Sequence, residues 1–422
     1  MVYQAVLLCV TIHCPHCSHC NPHYRVIRHS RIKKKIVHLH RQITQSFQTC
    51  NTLKITYLKL IFCVAFALLC TSKVTAQDST STISHRFTRL AFEVRADFDV
   101  HHHYPYPDSL RATDYGFNGK YFNIAVGGEF GKHFSYFFRQ RIVANKGSVT
   151  LFDNTDFLYL QYNINPQWGF RAGKEALAIG GFEYDAPPID VFFYTQLWGT
   201  IHCFQLAASA IYADKSGHNK LILQVGNSPY VYSTDRNMGS DWKKGLLAYS
   251  FMWCGDYPHF KALYSVNLFE RERGRFVNYI SIGNRIVFNH FSWYIDYMNR
   301  AAVYSKYFSD FTVVSRMDII FRDVNIFIKG GYDQNKSEDF GVENPKEIMV
   351  TPGMQYYFYG LGLEYRPAKY KNVRLHGYIA NAQTILGPKG DKEVTNCLSA
   401  SIGLTWDIDF LRILRKQFKL QL

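Results

Sequence analysis

Through most of the chain, apolar and polar residues alternate one by one. Leu90, Phe92, Val94, Ala96, Phe98 and Val100 are apolar, and Glu93, Arg95, Asp97 and Asp99 between them are charged. A strand sends successive side chains to opposite faces, so this spacing predicts a strand with one apolar and one charged face. The period returns at Phe122, Ile124 and Val126, and again at Phe134, Tyr136 and Phe138. Among the clearest later runs, Ile280, Ile282, Ile286 and Phe288 oppose Ser281, Gly283 and Arg285, and Phe311, Val313, Met317, Ile319 and Phe321 oppose Thr312, Arg316 and Asp318.

The pattern predicts about sixteen strands, each long enough to cross a bilayer when tilted. The links between them alternate in length. Short ones fall at 131–133, 164–167, 214–218, 255–259, 289–290, 322–323 and 366–372, and longer ones at 101–114, 144–155, 175–198, 227–243, 302–310, 334–353 and 382–395. The link at 270–275 is intermediate. A soluble sandwich has no reason to keep such an alternation, whereas an outer-membrane barrel has short periplasmic turns, long external loops and an even strand count. Of the 69 Phe, Tyr and Trp residues only six precede Gln77. Many sit at strand ends, as in Tyr356-Tyr357-Phe358-Tyr359, where amphipathic rings suit a headgroup girdle. The last run, Leu398 to Trp406, reads as the closing strand, with Phe410 as the terminal aromatic for the barrel-insertion machinery.

The centre of the chain breaks the rhythm. Phe157 to Asn163 and Trp168 to Lys174 form two alternating runs joined at Asn165-Pro166-Gln167, a β-hairpin whose proline belongs in the turn. A stretch too long for a hairpin link follows, containing Gly180-Gly181-Phe182-Glu183-Tyr184-Asp185 and Pro187-Pro188-Ile189-Asp190. Strand, turn, strand ending in Arg171-Ala172-Gly173-Lys174, then this loop: over roughly forty residues the arrangement resembles the phosphate-selective porin O and P family. In place of the Lys-x-Pro-Phe-Gly type of continuation usual there, this chain has Glu175-Ala176-Leu177-Ala178-Ile179-Gly180. The resemblance implies that loop 175–198 folds into the lumen as a constriction, that the solute is phosphate or a related anion, and that the assembly is a homotrimer.

Charge and cysteine are concentrated in a leader. The formal net charge is +15, yet residues 1–76 hold ten Lys/Arg and no Asp or Glu, as well as seven of the ten cysteines. A nucleic-acid partner inferred from the basic charge would rest on that leader, so none is expected. Lys54 and Lys59, the apolar core Leu60–Cys70 and Val74-Thr75-Ala76 predict a signal peptide over 53–76, cleaved after Ala76, too short to span a bilayer as a helix. The long stretch before it is abnormal for such a peptide and predicts that translation starts near Leu53. Cys14, His16, Cys17, His19 and Cys20 have zinc-like spacing. No scaffold surrounds them, and no metal or other cofactor is expected. Residues 77–422 then form a single barrel domain in a Gram-negative outer membrane.

Alternation places Arg95, Arg139, Arg141, Arg171, Arg285, Arg316, Lys329 and Arg374 on the non-lipid face, together with Glu93, Asp97, Glu129, Asp296, Asp318 and Asp333. Guanidinium groups lining a narrow channel exchange an anion's hydration for charge-assisted bonds. The alternative is that Arg and acid pair across neighbouring strands and stiffen the wall. Arg139 and Arg141 stand out because no acid lies beside them in sequence, and Arg171 and Lys174 because they flank the loop. The loop's own Glu183, Asp185 and Asp190 oppose anion selectivity if they face the channel. His133-Phe134-Ser135 and His290-Phe291-Ser292 place His and Ser on one strand face, as in outer-membrane acyl hydrolases. They lie at predicted periplasmic turns, on the wrong side for outer-leaflet lipid. His101-His102-His103 is expected in an exposed loop.

The reading is a non-enzymatic porin for passive diffusion of small hydrophilic solutes, with outer-membrane lipid around it. A non-conducting barrel for surface display or envelope interaction is the alternative, and an acyl hydrolase the third.

Overall fold

The computed structural model describes residues 85–104, 113–142, 151–232, 245–301, 308–336, 353–368, 370, 372–386, 393–411 and 413–414. The expectations for the leader, its signal peptide and its Cys/His cluster lie outside the described residues. Sixteen strands form one closed antiparallel barrel. They are β1 (His85–Tyr104), β2 (Thr113–Phe130), β3 (Phe134–Arg141), β4 (Thr155–Asn163), β5 (Trp168–Ala176), β6 (Phe204–Ala213), β7 (Asn219–Asn227) and β8 (Leu247–Asp256). The second half comprises β9 (Phe260–Glu272), β10 (Arg275–Phe288), β11 (Phe291–Ala301), β12 (Asp310–Phe321), β13 (Val324–Asn335), β14 (Gln355–Tyr365), β15 (Val373–Leu386) and β16 (Glu393–Asp409). Each strand pairs with its sequence neighbours, and β1 closes on β16 with Ala91 opposite Asp409 and Tyr104 opposite Asn396.

The barrel is inside-out relative to a soluble protein. Leu223, Ile328 and Ile402 on the outer face are 59%, 51% and 67% exposed, whereas Asp97, Gln224, Asn267, Asp296 and Lys329 are buried on the inner face. Apolar side chains left on an outer surface are stable only where lipid replaces water.

The strands run further than alternation predicts at the long-loop end. His101, His102 and His103, expected in a loop, belong to β1: His101 Nδ1 lies 2.9 Å from Ser399 Oγ and His102 Nδ1 2.9 Å from Thr113 Oγ1. Pairing with β2 and β16 on either side holds the segment extended despite its polarity. Phe410 follows β16 directly and packs edge-on against Phe92, with ring centroids 4.8 Å apart.

Four short turns end in histidine, and each histidine clasps the next hairpin. Ile320 donates its N–H to the His290 carbonyl at 2.9 Å, and His290 Nδ1 lies 3.2 Å from the Ile320 carbonyl. A carbonyl only accepts, so Nδ1 carries the proton. His133 with Asn163, His218 with Asp256 and His259 with Val287 repeat the arrangement, with Nδ1 to carbonyl distances of 2.7, 2.6 and 3.2 Å. The two histidines of the His-x-Ser pairs thus spend Nδ1 on the rim.

Candidate functional site

The segment between β5 and β6 leaves the wall and runs across the lumen. Its bounds, 177–203, differ from the expected 175–198 for a local reason. Thr195 Oγ1 accepts from Trp198 N at 3.2 Å and caps a short helix over Gln196–Thr200, so β6 begins only at Phe204. An earlier helical turn covers Phe182–Asp185.

Gly180 and Gly181 let this backbone lie directly on the wall. A Cβ on Gly180 would meet the Leu263 carbonyl oxygen at 2.5 Å, and one on Gly181 would meet Met298 Cε at 2.3 Å. Gly181 also has φ of +104°, where a side chain is strained.

The loop has no sheet partners, and inward side chains satisfy its backbone instead. Ala178 N donates to Gln224 Oε1 at 2.8 Å, Asn267 Nδ2 donates to Ala178 O at 2.8 Å, and Gly180 N donates to Ser265 Oγ at 2.8 Å. Glu183 N donates to Asp296 Oδ2 at 2.8 Å and Gln196 N to Asp333 Oδ2 at 2.9 Å. Arg95 Nη1 donates to Val191 O at 2.8 Å, and Arg374 Nη2 to Ile189 O at 3.2 Å. Lys329 Nζ is 2.6 Å from both Phe193 O and Glu183 Oε1. Buried backbone groups need such partners. Apolar packing adds to the seat: Phe192 and Phe193 stack over Phe327, and Phe193 meets Phe358 edge-on.

A cavity of about 1060 Å³ remains beside the loop, lined chiefly by β3 to β10. Of the nine basic residues singled out from the sequence, four reach it: Arg139, Arg141, Arg171 and Arg285. Arg139 and Arg141 share one carboxylate, that of Asp156, at 2.9 and 2.8 Å. No acid lies beside them in sequence, but β4 pairs with β3 and brings Asp156 across. Arg171 meets Glu175 at 3.2 Å and Gln161 at 2.8 Å. Arg285 lies over the rings of Phe182 and Tyr294 at 4.2 and 5.1 Å, with no ion-pair partner among the described residues and a buried Nε that makes no hydrogen bond.

The others hold the wall or the loop, Arg95 through its bond to the Val191 carbonyl. Lys174 donates to the Phe152 carbonyl at 2.6 Å, and Arg316 pairs with Asp318 and Glu364 at 2.7 and 3.2 Å. Arg374 meets Asp190 at 2.6 Å and Glu364 at 3.5 Å, and Lys329 is committed to Glu183. Of the loop carboxylates, Glu183 and Asp190 are therefore tied to wall cations, and Asp185 alone of the three lines the cavity.

Sequence reasoning missed Lys220 and Lys261, which also line the cavity. The signal was present, since Lys220, Ile222 and Gln224 share one face of β7. Six basic side chains thus face three carboxylates, Glu175, Asp185 and Asp256. Confinement by the wall pushes the Asp185 carboxyl above its ordinary range, against the pull of Lys220 and Arg285. Burial pushes the Cys203 thiol up to about 12, so it stays protonated and unreactive at neutral pH.

Residues 89–286, which run from β1 through the loop to the end of β10, match the family described as phosphate-selective porin O and P. Over those residues the barrel resembles that family. The anion-selective porin from Comamonas acidovorans superposes on it with a TM-score of 0.52 at 12% identity, over 77% of this chain and 100% of that one. At that identity the likeness establishes the fold. A triple mutant of the Rhodopseudomonas blastica porin reaches a TM-score of 0.42 at 12% identity, over 76% of this chain and 100% of that one. A sequence comparison with curated proteins finds no match. The porin match covers Arg139, Arg141, Arg171, Lys174, Lys220 and Arg285, and stops short of Arg316, Lys329 and Arg374.

Proposed function

We propose that this porin passes small anions, phosphate among them, down their gradient across the outer membrane, with the 177–203 loop as its constriction. One observation carries the reading. Six basic groups line the cavity against three lining carboxylates and Asp156, and two of the cations, Lys220 and Arg285, have no ion-pair partner among the described residues. An excess of positive charge between low-dielectric walls attracts anions, and a guanidinium without a carboxylate is free to replace their hydration. The pathway we assign comprises Arg139, Arg141, Arg171, Lys220 and Arg285, while Lys174, Arg316, Lys329 and Arg374 serve as fastenings. Following the family resemblance, the short-turn rim faces the periplasm and three copies assemble. The mature chain begins at Gln77, which N-terminal sequencing of the membrane-extracted protein checks.

Single-channel recording in planar bilayers tests the function. The expected result is a stable conductance, a reversal potential under a KCl gradient that favours chloride, and block by phosphate weakened about tenfold in Arg285→Gln, the scale of one charge-assisted hydrogen bond. Open channels with no anion preference would remove phosphate from the reading. A folded barrel without conductance would favour the display or partner role, which the paired charges beneath the loop also suit.

A further inference from the structure

The loop treats its aromatic residues in two different ways. Phe182, Phe192 and Phe193 are buried against the wall, at 5%, 8% and 9% exposure, whereas Tyr194 next to them is 41% exposed and Trp198 is partly so. Both line the lumen cavity, so neither belongs to a lipid girdle. Their rings lie 4.7 Å apart at 41°. The pair is held in place from below. A Cβ on Gly199 would meet the Tyr194 ring at 2.6 Å, so the ring lies on bare backbone, and the helical turn carrying Trp198 is capped by Thr195. Thr195 Oγ1 in turn donates to Glu183 Oε2 at 2.5 Å, and Glu183 is anchored by Lys329. An aqueous channel gives no energetic reason to hold two aromatic faces toward water.

Positive charge lines the same cavity. Tyr121 of β2, also on the cavity, is within electrostatic range of both Tyr194 and Arg141. Arg139 and Arg141 share the single carboxylate of Asp156, which leaves one positive charge in excess. An aromatic ledge that shares a cavity with a partly neutralised arginine pair suits a solute with a flat apolar face and an acidic substituent.

We infer that Tyr194 and Trp198 form a stacking platform that, with Arg141, selects ring-bearing anions over inorganic ones. Sugar phosphates and aromatic carboxylates share this chemistry. The inference rests on the porin reading and refines its solute class.

Channels of the full-length mature protein are recorded in KCl, and block of the current is titrated with inorganic phosphate, glucose, glucose 6-phosphate and benzoate. At least one ring-bearing anion is expected to block at concentrations about tenfold below those of phosphate, the worth of one good ring contact. Block by glucose 6-phosphate alone assigns sugar acids, and block by benzoate alone assigns aromatic acids. Tyr194→Ala and Trp198→Ala should bring ring-anion block to within about twofold of phosphate block while leaving phosphate block itself unchanged. Trp198→Phe should retain most of the margin, and Arg141→Gln should weaken every anion. Conducting channels in which ring anions block no better than phosphate, in which glucose blocks as well as its phosphate, or in which both alanine variants keep the margin would overturn the inference and leave the porin intact. Absence of conductance in the wild type would overturn both.

Discussion

At the scale of single residues, a charged group on the inner face is either a fastening or part of the pathway, and its partner decides which. Lys329 is 4% exposed and bridges Glu183 and the Phe193 carbonyl. Lys329→Met would leave the Glu183 carboxylate buried without its cation, a loss of about 3–5 kcal/mol. It should release the loop, seen as larger, noisier single-channel conductance and as faster proteolysis within 177–203. Asp185 is the opposite case, a carboxylate exposed to the cavity. Because its pKa is raised, it becomes neutral at a higher pH than an ordinary aspartate. Losing a negative charge favours anions, so chloride preference should increase as pH falls through the range just above the usual carboxylate pKa. Asp185→Asn should show the increased preference at neutral pH and lack that pH step. Reversal potentials measured from pH 8 to pH 4 test both. Alternation identified which residues point inward, Arg139, Arg141, Arg171, Arg285, Arg316, Lys329 and Arg374 among them, whereas Lys174 was singled out only by its place beside the loop. It could not show that Asp156 is set against Arg139 and Arg141, because strand register depends on turn geometry that composition does not display.

At the scale of elements, the period-2 signal made the strands legible, since every wall strand must be polar on one side and apolar on the other. It lost hold where other forces act. The histidines of β1 are extended because two neighbours supply their ladders, and residues 199–203 are not strand because Thr195 caps a helix that runs through Thr200. The infolded loop was legible only through the family resemblance. Its seat is made of side chains from distant strands, which a local pattern does not contain. The histidine clasps are a further element-level device, joining each turn to the next hairpin by a pair of bonds. Replacing one, as in His290→Ala, removes a neutral hydrogen bond at an exposed rim and should cost about 1 kcal/mol. His259→Ala and His290→Ala together should sum, as measured by heat-induced mobility shifts in detergent, because each clasp bonds a different residue.

At the scale of the whole molecule, the lumen is divided. The cations that fasten the loop, Arg95, Lys329 and Arg374, come from β1, β13 and β15, and the open cavity lies along β3 to β10. Charge substitutions should therefore separate by side. Lys220→Ala should reduce anion preference with little change in stability, whereas Arg316→Ala should leave selectivity nearly unchanged and lower the unfolding temperature, since it abandons Asp318 and Glu364. Ionic strength provides a control, because the Lys220 effect should fade as salt rises toward 1 M and the Debye length shrinks to about 3 Å.

The seat of the loop also sets a sequence of events. Its fastenings come from β1, β7, β9, β11, β13 and β15, so it spans nearly the whole order of the chain. The loop is synthesised before most of the strands that hold it. A barrel that has gained β5 and β6 but not β13 and β15 carries the loop without its lysine, its arginine or its aromatic floor. Narrowing of the bore is therefore a late step of biogenesis, completed by the same closing strands that seal the wall, and a barrel stalled before that point would be a wide leak through the membrane.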